Sequence, residues 1–476
     1  MTQLSIFAAA RTAPTQIALV TETACYTYAQ LAALARGRAA ALMRLHGPVL
    51  LQLRSNLDSL LWLYAAAASG SPFVPLPPRA TLRERIAAQA LTGGREPLTV
   101  AGDDSESFRE KRVDPEQAFA LVPTSGTSGN PKIVVLSRRA VLASAAACEA
   151  NLGTLADDRW LLCLPLSHVG GLAVVVRMLA ARRTVVLFDS GEAGLLASSR
   201  ELAARIKERR VSIVSLVPTV LDKLLREGFT PPASLRAVLL GGAGCAPELA
   251  ERAWHARIPL LTSYGLTESG SQIVARRYAE RYEHLARRDD RVSSGRPLAG
   301  VEIKIVGDRI AVKGPVMLTR YLGVDLPAVD SGGWFLTQDR GVFGERGELF
   351  VLGRTDLVLV TGGENVDPEE VERALRELRE VQDACVFGLP SAEFGLRIAA
   401  VVVLQKISWA RAPALRIAAL REGLARTLAP SKIPRSFVFA AALPVTATGK
   451  LDRAACVRQF GALAGEDAGA RRLSVR

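Results

Sequence analysis

The sequence predicts an α/β protein with two parts: a large N-terminal domain of helix-flanked sheets and a small α+β C-terminal domain. Three observations predict it. The chain has 476 residues, 49% hydrophobic and 22% charged, which is more than one small core needs and an ordinary globular balance. Helical stretches alternate with short β-rich runs, which argues for layers built on largely parallel sheets. After about Gly344 the texture changes to shorter strands separated by charged amphipathic helices. No repeat of about 20–50 residues is visible, so a solenoid is not expected.

Taken in order, the strongest apolar run is Ser59–Ala68 (SLLWLYAAAA). It is too short for a bilayer, which needs ~20 apolar residues, and reads as a buried helix. Strands are expected at Phe119–Val122, Thr184–Phe188, Ile213–Leu216, Ala237–Leu240 and Val301–Val306, and helices at Ser199–Arg209 and Pro247–His255. Beyond Gly344, strands are expected at Glu348–Leu352, Val358–Val360, Ala384–Gly388 and Ile398–Leu404. Helices are expected at Pro368–Arg379 and Ala412–Leu428. A boundary near Gly353 gives domains of residues 1–353 and 354–476, the second within the usual domain range.

Composition excludes several classes. Met1–Arg11 lacks a basic leader and a long apolar stretch, so no secretory signal is read, no membrane insertion is expected, and the expected location is the cytoplasm. Cys25, Cys148, Cys163, Cys245, Cys385 and Cys456 form no CxxC pair and are expected as buried free thiols. His46, His168, His255 and His284 are scattered, which argues against a zinc site. The net charge of +13 raises nucleic acid as a partner, but the basic residues are spread out and aromatics make up only 5%. No nucleic-acid partner is expected. A positive field equally suits polyanionic small molecules.

Six segments carry candidate chemistry. In Leu121–Ile133 (LVPTSGTSGNPKI), a β-run ends in Thr124, Ser125, Gly126, Thr127, Ser128 and Gly129 before Lys132. Glycines let backbone amides approach an anion, hydroxyls add donors and lysine adds charge, which suits a polyphosphate. A Walker A loop would need GxxxxGK followed by Ser or Thr, and here Ile133 follows Lys132. The second segment, Leu239–Ala243 (LLGGA), ends a strand in two glycines, Gly241 and Gly242. In the third, Ser263–Ser269 (SYGLTES), Tyr264 could stack a base, Thr267 could touch a phosphate and Glu268 could hold Mg²⁺, which prefers oxygen ligands. The fourth, Gly333–Gly341 (GWFLTQDRG), holds Asp339, able to accept from ribose hydroxyls. The fifth is Gly353–Glu370 (GRTDLVLVTGGENVDPEE), and the sixth, Pro444–Arg453 (PVTATGKLDR), puts Lys450 in a Gly/Thr loop. Taken alone, each could be a solvated turn.

In this order and spacing the six segments resemble the adenylate-forming superfamily of acyl-CoA synthetases, peptide-synthetase adenylation domains and luciferases, over about Phe119–Arg453. The resemblance implies a mobile C-terminal domain, ATP and Mg²⁺ as requirements, and coenzyme A as co-substrate. It assigns the Thr124–Lys132 loop to the ATP phosphates, and Gly242, Ala243 and Tyr264 to the adenine border. Thr267 would contact phosphate, Glu268 would hold Mg²⁺, and Asp339 and Arg354 would hold the ribose and its surroundings. Asp356 matches the hinge, Gly362 and Gly363 the coenzyme A tunnel, and Lys450 the lysine of adenylate formation. Two departures stand out. Gln338 replaces a usual glycine and could crowd the backbone near ribose, and Ile133 replaces a commoner small residue.

The acid is suggested by Leu162–Ala180 (LCLPLSHVGGLAVVVRMLA). Arg177 interrupts an apolar run and needs an anionic partner or a route to water. It could clamp a carboxylate, or simply snorkel or pair within the chain. His168, between LPLS and two glycines, resembles a pocket lip. With Gln272, this block resembles the o-succinylbenzoate–CoA ligases of menaquinone synthesis, in which the arginine is expected to meet the substrate's second carboxylate. Gly170 departs from a frequent serine. The alternatives are another aryl- or fatty-acyl-CoA ligase, a free-standing adenylation enzyme that loads a carrier protein, and a non-catalytic nucleotide-sensing protein. A homo-oligomer is compatible with all of them.

Overall fold

A computed structural model describes residues 4–97, 108–110, 112–124, 132–191, 194–288, 291–324, 328–361, 364–391, 394–405, 413–446 and 449–465. The chain separates into two compact units, residues 1–337 with 341–351, and residues 338–340 with 352–476. Both mix helices and sheets.

The large unit is built around a nine-stranded sheet. In spatial order its strands are Arg296–Pro297, Ser271–Ala275, Leu260–Leu266, Ala237–Leu240, Ile213–Leu216, Arg159–Leu162, Thr184–Leu187, Ile17–Val20 and Cys25–Thr27. The inner strands pair in parallel, as alternating helices and strands require. The edges differ from the largely parallel expectation. Leu260–Leu266 with Ser271–Ala275, and Ile17–Val20 with Cys25–Thr27, are antiparallel, because only four residues connect each pair and no crossover helix fits.

Alternation along these strands explains their continuous apolar character. Trp160, Leu162, Val185, Ile213 and Leu239 enter one core; Leu161, Val186, Val214, Val238 and Leu240 enter another. Successive side chains point to opposite faces, so a sheet covered on both sides reads as unbroken hydrophobic runs. The first core also receives Val49, Leu51, Phe73, Val122, Val134 and Leu136. These belong to a five-stranded sheet ordered Arg320–Tyr321, Lys132–Ser137, Ala118–Thr124, Phe73–Leu76 and Val49–Gln52.

The apolar run at Ser59 forms helix Leu57–Ser69. Asn56 caps it by accepting from the Ser59 amide, and Gly70, in the left-handed region at φ 81°, ends it. No helix among the described residues is long and apolar enough to cross a membrane. Four cysteines are buried as expected. Cys25 is exposed on an edge strand and Cys245 is half-buried, so the expectation of buried thiols fails at those two.

The strand starts are tied together by a buried carboxylate. Asp158, 2% exposed, accepts from Arg236 Nε at 2.8 Å, Ser212 Oγ at 2.7 Å and the Leu155 amide at 2.7 Å. Burial alone would raise its pKa. The Arg236, Leu155 and Ser212 bonds outweigh that and hold it below the ordinary carboxylate value.

In the small unit, Gly395–Leu404 pairs antiparallel with Val381–Ser391 and parallel with Ser436–Ala440. Ile398, Ala400 and Val402 face one core, and Ala399 and Val401 the other. Helix Pro368–Glu377 starts at Asp367, which accepts from the Glu369 amide, with proline at the first helical position.

Candidate active site

Four parallel strands, Arg159–Leu162, Ile213–Leu216, Ala237–Leu240 and Leu260–Leu266, run side by side. Their C-terminal ends are where an open α/β sheet presents ligand-binding loops. Gly242, at φ 83°, follows one such end, and Tyr264 stands on the neighbouring strand. A Cβ at Gly241 would lie 2.7 Å from Ser263 Oγ, which itself donates to the Leu240 carbonyl at 3.0 Å. The LLGGA and SYGLTES segments are therefore adjacent in space. At Gly265 the pairing register shifts, and a Cβ there would meet the Ser271 carbonyl oxygen at 2.2 Å. Only glycine permits the tight return into the single-turn helix Thr267–Ser269.

Glu268 is fixed on both sides. Its carbonyl accepts from the Leu318 amide at 2.7 Å, and its Oε1 accepts from the Tyr321 hydroxyl at 2.7 Å. The Lys132 ammonium lies 5.3 Å from the centre of the Tyr321 ring. Sheet pairing of Arg320–Tyr321 with Lys132–Ser137 brings this tyrosine in. Nothing in the sequence singled out Tyr321, because its role comes from a strand pairing across nearly two hundred residues. Thr124 and Lys132 face each other at the end of a hairpin, with Thr124 Oγ1 donating to the Lys132 carbonyl at 3.1 Å. Ser125, Gly126, Thr127, Ser128 and Gly129 lie outside the described residues. Ile133 is buried among Leu50, Val74 and Leu121 on the far side of its strand, so the substitution is a packing residue.

Arg177 stands on helix Val169–Ala181, which begins directly after His168. A Cβ on Gly171 would lie 2.4 Å from the Pro165 carbonyl oxygen, so glycine lets the helix start press against the preceding loop. His168 is exposed at that start. Arg177 is 6% exposed, and its Nε and Nη2 have no hydrogen-bond partner among the described residues. Its guanidinium lies 5.4 Å from the Trp160 ring centre, a cation–π contact that offsets part of the cost of burying the charge. It lines a cavity with Phe119, Leu136, Ser144, Val176 and Gly270. Gln272 is buried nearby and donates to Cys148 Sγ at 3.4 Å. Burial raises the Cys148 thiol pKa, against the pull of the Arg177 charge.

In the small unit, Arg354 joins two carboxylates. Its Nη1 donates to Asp339 at 3.1 Å, and its Nε and Nη2 donate to Asp356 at 2.8 and 2.7 Å. Gln338 is exposed, and its Oε1 accepts from Thr355 Oγ1 at 2.7 Å, which holds the amide beside the backbone turn. Lys450 rides on a closed hairpin. Val445 pairs with Leu451, the Thr446 amide donates to the Lys450 carbonyl at 2.8 Å, and the Asp452 amide donates to the Pro444 carbonyl at 2.9 Å. The hairpin root is pinned by Arg453, which donates to both carboxylate oxygens of Glu372 and to the Val386 carbonyl. Lys450 itself is exposed on this hairpin. Gly362 and Gly363 lie outside the described residues.

Among the described residues no three His, Cys, Asp or Glu side chains cluster to enclose a metal ion. A single carboxylate such as Glu268 fits Mg²⁺, which is commonly held by one or two carboxylates together with substrate phosphates and water.

Comparison with known proteins places this geometry among relatives. A family model described as AMP-binding enzyme matches residues 86–322, and one described as AMP-binding enzyme C-terminal domain matches residues 370–450. The chain is 32% identical over 355 residues to a 2-succinylbenzoate–CoA ligase of Enterococcus faecalis, covering 71% of this chain and 69% of that one. Among solved structures it resembles an o-succinylbenzoate–CoA synthetase of Bacillus subtilis in complex with its acyl-adenylate intermediate. The TM-score is 0.81 and the identity 28%, over 95% of this chain and 97% of the other. The same enzyme with ATP and magnesium ion matches at TM-score 0.80 and 28% identity, over 94% and 98%.

Proposed function

The chain belongs to the AMP-binding enzymes, in the family of the 2-succinylbenzoate–CoA ligases, and from that premise we propose that it converts o-succinylbenzoate, ATP and coenzyme A to the o-succinylbenzoyl thioester, AMP and pyrophosphate. In the first half-reaction an oxygen of one substrate carboxylate attacks the α-phosphorus of ATP, and the bond to the pyrophosphate oxygen breaks. In the second, the coenzyme A sulfur attacks the acyl carbonyl, loses its proton, and AMP leaves with the electron pair. No covalent enzyme intermediate is needed.

The chain's own residues divide this work. Lys132 and the 124–132 loop take the phosphates, with Thr267 beside them. Gly242, Ala243 and Tyr264 border the adenine, and Asp339 with Arg354 holds the ribose. Glu268, oriented by Tyr321, would hold Mg²⁺, which neutralises phosphate charge. Lys450 meets the reacting carboxylate and the bridging oxygen, and its charge favours the transition state over the ground state. Rotation about Asp356 would then withdraw Lys450 and bring Gly362 and Gly363 to the pantetheine arm.

The observation that carries the choice of acid is Arg177. A buried cation with two unpartnered donors is costly unless a ligand anion completes it. o-Succinylbenzoate has two carboxylates. One is activated, and the other is free to pair with Arg177. His168 and Gln272 are the other residues assigned to this acid. Breaking a buried charged pair costs about 3–5 kcal/mol. Arg177→Ala is therefore expected to lower kcat/KM for o-succinylbenzoate by about a hundredfold or more, at ~1.4 kcal/mol per tenfold. A monocarboxylic analogue that lacks the unactivated carboxylate should lose far less. Steady-state kinetics on the two acids decides. Equal losses would remove the clamp and leave an acid–CoA ligase of unspecified substrate.

A further inference from the structure

Ser144 lies on helix Arg138–Leu152, is 3% exposed, and has a hydroxyl with no hydrogen-bond partner among the described residues. A helical serine ordinarily returns its hydroxyl to the carbonyl one turn back. Ser144 does not, and a buried hydroxyl left without a partner costs free energy. Its surroundings explain why that cost is tolerated. Among the described residues, the cavity it lines has only two polar side chains in its wall, Ser144 and Arg177. The rest, including Phe119, Leu136, Val176 and Gly270, is apolar or backbone. Two polar groups on two helices, with the Ser144 hydroxyl bonded neither to Arg177 nor to any other described residue, thus line one space whose remaining described side chains offer no acceptor.

A ligand group that satisfies both must accept from both and carry negative charge. A carboxylate does so: it can take guanidinium donors and still has lone pairs for a hydroxyl. An alkyl tail in the same place would leave both donors buried and unpaired. We propose that the Ser144 hydroxyl is a second donor to the unactivated carboxylate of the acid, opposite Arg177, and so a specificity-determining residue. The inference rests on the carboxylate-clamp reading of Arg177 and adds a group to which no role has been given.

The test compares Ser144→Ala, Ser144→Thr and Arg177→Ala, each assayed with o-succinylbenzoate and with a monocarboxylic analogue lacking the second carboxylate. Ser144→Ala should lower kcat/KM for o-succinylbenzoate by about tenfold or more, the effect of losing one hydrogen bond to a charged group, and leave the analogue nearly unchanged. Its ligand-free melting temperature should hold or rise, because an unsatisfied hydroxyl has been removed. Ser144→Thr keeps the hydroxyl and should keep the preference between the acids. Equal losses for both acids with a falling melting temperature would make the hydroxyl a structural group and overturn the proposal, as would no loss for either acid. If Arg177→Ala discriminates between the acids and Ser144→Ala does not, this inference fails while the clamp stands. If neither discriminates, the clamp itself fails.

Discussion

At the scale of single residues, the two candidate charged groups Glu268 and Lys450 are held in different ways. Glu268 is fixed through its backbone by Leu318 and through its carboxylate by Tyr321. Lys450 is held less by its own contacts than by its hairpin, whose root is anchored through Arg453 to the buried Glu372. If Lys450 supplies positive charge only during adenylation, Lys450→Ala should slow acyl-AMP formation by about a hundredfold or more, the range found when one transition-state donor is removed. Thioester formation from supplied acyl-AMP should be largely spared. Pyrophosphate release and single-turnover thioester formation measure the two steps separately, and equal losses in both would contradict this division of labour.

At the scale of elements, the parallel strands depend on the knot at their N-terminal ends. Asp158 joins the loop at Leu155, the start of Ile213–Leu216 through Ser212, and the strand Ala237–Leu240 through Arg236. Asp158→Asn leaves Arg236 without its charged partner, and a cost of about 3–5 kcal/mol is expected. The pH dependence has a definite sign. The folded pKa of Asp158 lies below its unfolded value, so its carboxylate contributes stability above about pH 4 and loses it as pH falls through the folded pKa. The melting-temperature gap between wild type and Asp158→Asn should therefore be widest near neutrality and narrow below about pH 4. A gap that stayed constant on acidification would exclude the ion pair as its source.

At the scale of the whole molecule, the proposed half-reactions make Asp356 a candidate hinge. Asp356 lies in the single-turn helix Thr355–Leu357 and is bonded to Arg354. A hinge residue has to accept two backbone states, and Asp356→Pro would fix φ near about −65°. One half-reaction should then fall at least about tenfold further than the other. Asp356→Ala, which loses the same ion pair without restricting φ, should show no such asymmetry. Similar, mild losses in both half-reactions of the proline variant would place the hinge elsewhere.

The α/β class, several element boundaries and the order of the chemistry-bearing segments were legible in the residues alone. Pro247–His255, Ile213–Leu216 and Ala237–Leu240 fall where apolar periodicity and local stop signals put them. Those signals are local, and local chemistry is what a sequence displays. It also marked Arg177, because a charge inside LAVVVRMLA is anomalous on its own. What it could not display was which neighbours answer that charge. Trp160 lies under the guanidinium, Ser144 shares its cavity, and Tyr321 orients Glu268. Each of these neighbours stands on a different element from the residue it answers. These contacts arise only when sheet order and helix packing bring those elements together, so the folded chain alone shows them. The antiparallel sheet edges and the exposed Cys25 follow the same rule: strand direction and burial depend on where a segment lies in the sheet.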